Sequence, residues 1–149
     1  MAKFRYKLQS ILDIKEKMES QEKIAYGQAA ARLLEEQEKL QKLMIQKAGY
    51  DKKARKLVEG TIDLLEIQSC RKAIETMKTR IRTQMIEVHK AEQQLDVVRK
   101  RLNQVMIERK TYEKLREKKF EEFKQELLYE EKKEVDELVS YTYGEKKES

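Results

Sequence analysis

The sequence has no proline and no tryptophan, and it contains only one cysteine and one histidine in 149 residues. Because proline removes a backbone donor and clashes with the preceding turn, its absence leaves little that would stop a long helix. A single cysteine excludes an internal disulfide and suits a reducing compartment. The few potential ligands and nucleophiles form no motif of known catalytic or metal-binding spacing, and there is no glycine-rich phosphate loop. We therefore expect a protein that is not an enzyme and that binds no cofactor and no metal.

Long apolar segments are absent as well. No stretch approaches the ~20 apolar residues that a transmembrane helix needs, and the first ten residues lack the apolar core of a secretory signal. These features predict a cytoplasmic protein with no direct membrane insertion.

Apolar residues recur at alternating steps of three and four through the second half of the chain. This spacing keeps one face of a helix toward a partner helix and is typical of a coiled coil. Cys70 on this seam is predicted to be a small buried apolar group, and His89 beside it a solvated flank. Only Gln84 and Arg109 are polar among the seam positions Ile67, Cys70, Ile74, Met77, Ile81, Gln84, Val88, Ala91, Leu95, Val98, Leu102, Val105, Arg109 and Tyr112.

Gly60 separates this helix from an earlier one. A glycine after Leu57 and Val58 is a helix stop, and Asp63 with Glu66 three residues later is a helix start. The predicted fold is all-α, with two long helices forming an antiparallel coiled-coil hairpin. The predicted bounds of this single domain, 1–149, are helix 1 at about 5–58, a turn at 59–63, helix 2 at about 63–139 and a flexible tail at 140–149.

The seam of the first helix is less regular. It requires two successive four-residue steps, from Met18 to Glu22 to Tyr26, which predicts a stutter that locally unwinds the supercoil. Four charged residues on it predict weaker packing than in the second helix. Its positions are Leu8, Ile11, Lys15, Met18, Glu22, Tyr26, Ala29, Leu33, Glu36, Leu40, Leu43, Lys47, Tyr50, Ala54 and Leu57.

Folding back at Gly60 pairs residue i of the first helix with a residue at roughly 121 − i of the second. The start of the first helix then lies opposite about residue 117 of the second helix. The rest of the second helix is therefore predicted to overhang without a partner in the chain. Exposed apolar faces of this kind usually mark binding surfaces. The apolar residues of the predicted overhang are Phe120, Phe123, Leu127, Leu128 and Leu138.

Charge is distributed unevenly along the chain. Residues 1–118 carry 28 Lys and Arg against 18 Asp and Glu, whereas residues 119–149 carry 6 against 10. Basic runs occur at 52–56 and 99–101, but no aromatic base-stacking platform accompanies them. Solvated helix faces are therefore favoured, and an acidic protein surface or a membrane-adjacent partner fits the runs as well as DNA does.

Three segments near the two ends of the chain form a recognisable pattern. They are Phe4–Glu16 (FRYKLQSILDIKE), Glu108–Lys118 (ERKTYEKLREK) and Glu134–Leu138 (EVDEL). Together these segments resemble the bacterial flagellar export protein FliJ family. The chain length, the central turn and the absence of proline are also similar to that family.

The resemblance implies a two-helix coiled coil similar to the central stalk of rotary ATPases. It implies a place at the base of the flagellar type III export apparatus, peripheral at the cytoplasmic face of the inner membrane. The implied partners are the hexameric export ATPase, the membrane export gate protein and export chaperones, with no nucleic acid. The free ends of the hairpin would enter the ATPase ring, and the turn-proximal part would face the gate.

Candidate contact residues follow from this resemblance together with the exposed apolar positions. For the gate surface, every candidate also fits a seam position. The candidates for binding the ATPase are Phe4, Leu8, Leu12, Tyr112, Leu115, Phe120 and Phe123, and those for the gate are Leu43, Tyr50, Met77 and Gln84.

Two other interpretations stay open at the level of the sequence. One is a generic structural coiled coil, for example a parallel homodimer of one continuous helix. The other is a basic helical nucleic-acid-binding protein, whose affinity would fall steeply with salt. A membrane-surface amphipathic protein is disfavoured because the chain lacks tryptophan and a broad apolar face.

Overall fold

Two helices make up nearly all of the structure. A computed structural model describes residues 3–148 of the chain, with side chains described for residues 3–144. Helix α1 spans Gln9–Leu57 and helix α2 spans Leu64–Glu148, and residues 3–148 contain no strand. Met1, Ala2 and Ser149, which the predicted single domain includes, lie outside the described residues.

Both helices depart from their predicted bounds on the side away from the turn. α1 begins at Gln9 rather than near residue 5, because a turn precedes it in which the Gln9 N–H donates to the Tyr6 carbonyl at 3.0 Å. α2 continues to Glu148 instead of ending near residue 139, so the predicted flexible tail is helical over 140–148. The reason is that Gly144 alone opposes helix there, and one glycine costs only about 1 kcal/mol relative to alanine.

The turn between the helices lies where the glycine and the capping pattern predict it. Gly60 has a φ of 86°, a conformation that strains residues with a Cβ. The Asp63 carboxylate then caps α2, accepting hydrogen bonds from the N–H groups of Leu65 at 3.0 Å and Glu66 at 3.4 Å. Such a cap satisfies two of the backbone donors that a helix start leaves free.

The chain divides into two compact units, one formed by Met1–Glu19 with Gln104–Ser149 and the other by Ser20–Asn103. In each unit a stretch of α1 packs against a stretch of α2. In the second unit, contacts across the two helices join Arg32 to Glu87 at 3.8 Å, Gln84 Nε2 to the Glu36 carboxylate at 2.5 Å, and Cys70 Sγ to the Tyr50 carbonyl at 3.3 Å. The residue numbers of these partners rise along α1 as they fall along α2, and the pairs lie close to the predicted register. This pairing confirms the antiparallel hairpin.

The seam of α2 is confirmed in full. Each of its predicted positions is buried or half-buried, including the polar Gln84 and Arg109. His89, beside the seam, exposes 68% of its side chain. The most buried seam members, none more than 9% exposed, are Cys70, Met77, Val88, Ala91, Val98 and Val105.

The seam of α1 corrects the sequence prediction. Leu12 and Glu19 are 1% and 6% exposed, whereas Met18 is 36% exposed. With Leu12 and Glu19 in the seam, the steps of three and four alternate without interruption from Leu12 to Leu57, so the predicted stutter is wrong. A charged residue replaces the apolar Met18 at this position because Arg109 faces it from the other helix.

Gly60 and Gly49 are expected to respond oppositely to substitution by alanine. Gly60→Ala should lower the free energy of unfolding by about 1 kcal/mol, because alanine is strained at positive φ. Gly49→Ala should raise it by about 0.5–1 kcal/mol, because Gly49 lies inside α1 and no neighbouring atom is within 4 Å of the place that the added methyl group would take.

Urea denaturation of the two variants and the parent measures both changes. Equal effects of the same sign would contradict the assignment of the turn to Gly60.

Candidate functional site

Three phenylalanines meet where the segment before α1 lies against α2; we call Phe4, Phe120 and Phe123 the Phe4 cluster. The Phe4 ring centroid lies 5.0 Å from that of Phe120, nearly edge to face, and 5.5 Å from that of Phe123. Both separations fall in the favourable range for aromatic pairs. The Lys124 ammonium lies 4.7 Å from the Phe120 centroid and adds a cation–π contact.

This cluster corrects the prediction that Phe120 and Phe123 have no partner in the chain. Residues 3–6 are not helical, and a non-helical segment covers up to ~3.3 Å per residue against 1.5 Å in a helix. Phe4 therefore reaches farther along α2 than a helical first turn would. The predicted overhang begins later, after Phe123.

Phe4 also separates two shallow grooves of the first unit. One is bordered by Tyr6 and Leu8 on one side and by Lys119 and Glu126 on the other. The second lies between Leu12 with Glu16 and the α2 residues Glu113 and Phe120. The cluster thus presents an apolar ridge with mixed charge on either side, which suits contact with another protein rather than enclosure of a small molecule.

Polar contacts fix the two chain segments next to the cluster. The Tyr6 hydroxyl donates to the Tyr112 carbonyl at 3.1 Å, and the Lys15 ammonium lies 2.7 Å from the Glu108 carboxylate. The hydrogen bond from Lys15 is the main cause that lowers the pKa of the Glu108 carboxyl. These contacts hold the segment that carries Phe4 against α2.

Arg109 forms the most buried ion pair of this unit. Its Nε contacts the Glu19 carboxylate, and its Nη1 lies 2.8 Å from the Glu113 carboxylate. The hydrogen bond with Glu113, followed by the charges of Glu113 and Glu19, raises the pKa of the guanidinium. Helical side chains lean toward the N-terminus of their own helix, so in an antiparallel pair Arg109 and Glu19 lean toward each other.

Beyond the Phe4 cluster, α2 has an acidic extension, which we define as residues 128–144. Every side chain in it is exposed, and it carries five Asp and Glu against two Lys. Spacings of seven, three and four residues align its aliphatic side chains along one face. The members of this apolar stripe, 56–65% exposed, are Leu128, Val135, Leu138 and Val139.

The structure brings most of the candidate ATPase-binding residues together in the first unit. Leu8 and Tyr112 are half-buried, and Leu115 and Phe120 are 39% and 40% exposed. Leu12, at 1% exposed, lies inside the seam at the base of the second groove and offers almost no surface to a partner.

The candidate gate-binding residues lie in the second unit. Tyr50 is 39% exposed and Leu43 is half-buried. Met77 is 5% exposed, and Gln84 donates to both the carboxylate and the backbone carbonyl of Glu36. The side-chain hydrogen bond from Gln84 is the main cause that lowers the pKa of the Glu36 carboxyl.

Sequence reasoning missed Glu19 and the stripe residues Val135 and Val139. Glu19 could have been found by searching the first helix for an acidic partner of Arg109 at a position that keeps the seam spacing alternating between three and four residues. Val135 and Val139 lie within the predicted second helix, and the spacing of seven from Leu128 to Val135 and of four from Val135 to Val139 would have placed them on one face.

The described part of the chain has neither a membrane span nor a metal-binding cluster. Among residues 3–148 no helix is apolar and long enough to cross a membrane. In the same range no group of three or more His, Cys, Asp or Glu side chains could hold a metal ion.

The fold defines a helical-hairpin coiled coil. The profile of the family described as flagellar FliJ protein matches residues 4–148. The chain therefore belongs to the FliJ family, whose members are non-catalytic components of the flagellar export apparatus. No curated protein and no solved structure matches the chain.

Removal of the Arg109 charge is expected to destabilise the first unit. Arg109→Leu leaves the Glu19 carboxylate buried without the guanidinium, at a cost of about 2 kcal/mol in the free energy of unfolding. The double variant Glu19→Leu with Arg109→Leu should recover most of this loss, because two leucines extend the apolar seam.

Chemical denaturation measures both variants, with Arg101→Leu, an exposed site, as the control. A double variant as unstable as Arg109→Leu would show that the two residues do not act as a pair.

Acid is expected to weaken the second unit through Glu36. Because the folded pKa of Glu36 lies below its ordinary value of 4.5, its stabilising contribution is present above pH 4.5 and is lost as pH falls through the folded pKa. Gln84→Leu should raise the Glu36 pKa toward 4.5 and reduce this acid dependence.

Carboxyl chemical shifts followed by NMR during a pH titration give the Glu36 pKa directly. Gln94→Leu, at an exposed position of α2, is the matched control. An unchanged Glu36 pKa in Gln84→Leu would show that the hydrogen bond from Gln84 does not cause the lowered pKa of Glu36.

Proposed function

We propose that this chain binds the hexameric export ATPase through the Phe4 cluster and the acidic extension and couples it to the export gate. The observation that carries the proposal is the apolar stripe of the acidic extension, in which four aliphatic side chains are 56–65% exposed. An amphipathic helix with anchors at such spacing is typically stabilised by a groove or channel of a partner.

Charge supports a protein partner with a basic lining. The acidic extension carries five Asp and Glu against two Lys, so its field attracts a positively charged channel and repels nucleic acid. This argues against the interpretation as a nucleic-acid-binding protein for this part of the chain.

The proposed mechanism is non-catalytic. One chain without rotational symmetry cannot make the same contacts with all six subunits of a hexamer, so its binding favours some subunit states over others. Full burial of one aliphatic side chain is worth about 1.5–3 kcal/mol. A difference of one such contact between two subunit states therefore changes their ratio by about tenfold or more.

We propose that the export gate binds the surface of the second unit around Tyr50 and Leu43. Tyr50 exposes 39% of its surface and Leu43 is half-buried, whereas Met77 and Gln84 support this surface from the seam. Export chaperones complete the proposed set of partners. The proposed location is the cytoplasmic face of the inner membrane.

Loss of the apolar stripe is expected to abolish stimulation of the export ATPase. The triple variant Leu128→Ser, Val135→Ser and Leu138→Ser removes exposed apolar groups and should keep its helicity by circular dichroism. Stimulation of ATP hydrolysis should fall about tenfold or more, as should retention of the cognate ATPase in a pull-down. Phe120→Asp with Phe123→Asp should also abolish stimulation, with an added local loss of the contact to Phe4.

The matched control is Ile24→Ser, Leu34→Ser and Ile45→Ser, which removes three aliphatic side chains of 58–63% exposure from the second unit. The control should stimulate like the parent chain. Full stimulation by the Leu128, Val135 and Leu138 variant would show that the acidic extension is not the ATPase-binding part.

A further inference from the structure

The turn between the helices carries a second exposed apolar group, which we call the turn tip. It consists of Val58, Ile62, Leu64 and Leu65, and these side chains are 59–77% exposed. Leu65, at 77%, is the most exposed of the large apolar side chains described. The seam does not cover the turn tip, because its first α2 member is Ile67.

Basic side chains precede the turn tip directly. Lys52, Lys53, Arg55 and Lys56 are exposed, and none of them is ion-paired within the side chains described, residues 3–144. Favourable interaction with the C-terminus of α1 explains Arg55 and Lys56, which lie in its last turn. It does not explain Lys52 and Lys53, nor the aliphatic residues that follow.

Acidic residues near the turn tip are partly engaged elsewhere. Asp51 lies 2.7 Å from the Lys47 ammonium, and Asp63 caps α2, while Glu59 and Glu66 are exposed. Over residues 51–72 there are six Lys and Arg against four Asp and Glu, so the net charge of the region is positive.

We propose that the turn tip docks on the surface of an anionic lipid bilayer. Its aliphatic side chains enter the boundary between headgroups and acyl chains, and the basic residues of 52–56 contact lipid phosphates. Exposed aliphatic groups next to unpaired cations are complementary to such a surface, which offers both phosphate charge and an apolar interior. Nucleic acid offers the charge alone, and residues 51–72 contain no aromatic side chain to stack on bases.

Docking of this kind is interfacial and needs no membrane-spanning helix. It also needs no broad apolar face, whose absence disfavours a membrane-surface amphipathic protein from the sequence alone, because the four exposed side chains of the turn tip are the apolar contact. Insertion of the aliphatic side chains alone, or attraction of the basic residues to lipid phosphates alone, gives weak, reversible binding, so both are required. The proposal uses residues of the second unit that the ATPase proposal does not involve, so each of the two can fail without the other.

The test is sedimentation of the full chain with vesicles of phosphatidylcholine alone and of phosphatidylcholine with one third phosphatidylglycerol. We expect binding to the anionic vesicles at low salt, loss of binding at high salt, and little binding to phosphatidylcholine. Leu64→Ser with Leu65→Ser should weaken binding about tenfold or more, as should glutamine at Lys52, Lys53, Arg55 and Lys56.

Two matched controls remove the same groups from the first unit. Leu128→Ser with Val135→Ser should bind vesicles like the parent chain, and so should glutamine at Lys114, Arg116, Lys118 and Lys119. Circular dichroism and ATPase stimulation should be unchanged in Leu64→Ser with Leu65→Ser, which separates this proposal from the previous one.

Three results would overturn lipid docking. They are equal binding to both kinds of vesicle, no binding to anionic vesicles at low salt, and parental binding by the Leu64 and Leu65 variant. If the parent chain bound neither kind of vesicle, the turn tip would instead be expected to bind an acidic protein surface.

Discussion

The alternating seam between α1 and α2 is the interaction on which the rest of the structure depends. A seam of one side chain every three or four residues buries little area per turn, so stability accumulates with length and any register with apolar residues facing each other is tolerated. Polar members remove that freedom. Glu36 faces Gln84 and Glu19 faces Arg109, so a shift by one heptad would place a charge against an apolar partner.

The register also decides which surfaces remain open. α2 has 85 residues against 49 in α1, and the segment before α1 covers α2 only as far as Phe123. The acidic extension therefore has exposed side chains throughout. At the turn, the side chains between Leu57 and Ile67 precede or follow the seam, and Val58, Ile62, Leu64 and Leu65 are left in water.

Sequence patterns predicted those parts of the fold that depend on local periodicity. The α2 seam follows from apolar spacing alone, and the turn follows from Gly60 and Asp63. Glu19 could not be found in this way, since a charge is buried only because Arg109 of the other helix pairs with it. The Phe4 contact was missed for a related reason: the contact depends on a non-helical segment whose reach no helical periodicity describes. The candidate contact residues stay predictions, and among them Leu12 and Met77 are buried in the seam.

Two places with exposed aliphatic side chains differ in the charge that surrounds them. The apolar stripe of Leu128, Val135, Leu138 and Val139 lies among acidic residues, whereas Leu64 and Leu65 follow the basic run at 52–56. Neither group is covered by the seam, because Leu64 and Leu65 precede its first α2 member, Ile67, and the stripe lies beyond the stretch of α2 that the first helix and the segment before it cover. Opposite surroundings select opposite partners, since a basic channel would repel the turn tip and an anionic surface would repel the acidic extension. The two surfaces therefore favour partners of opposite charge.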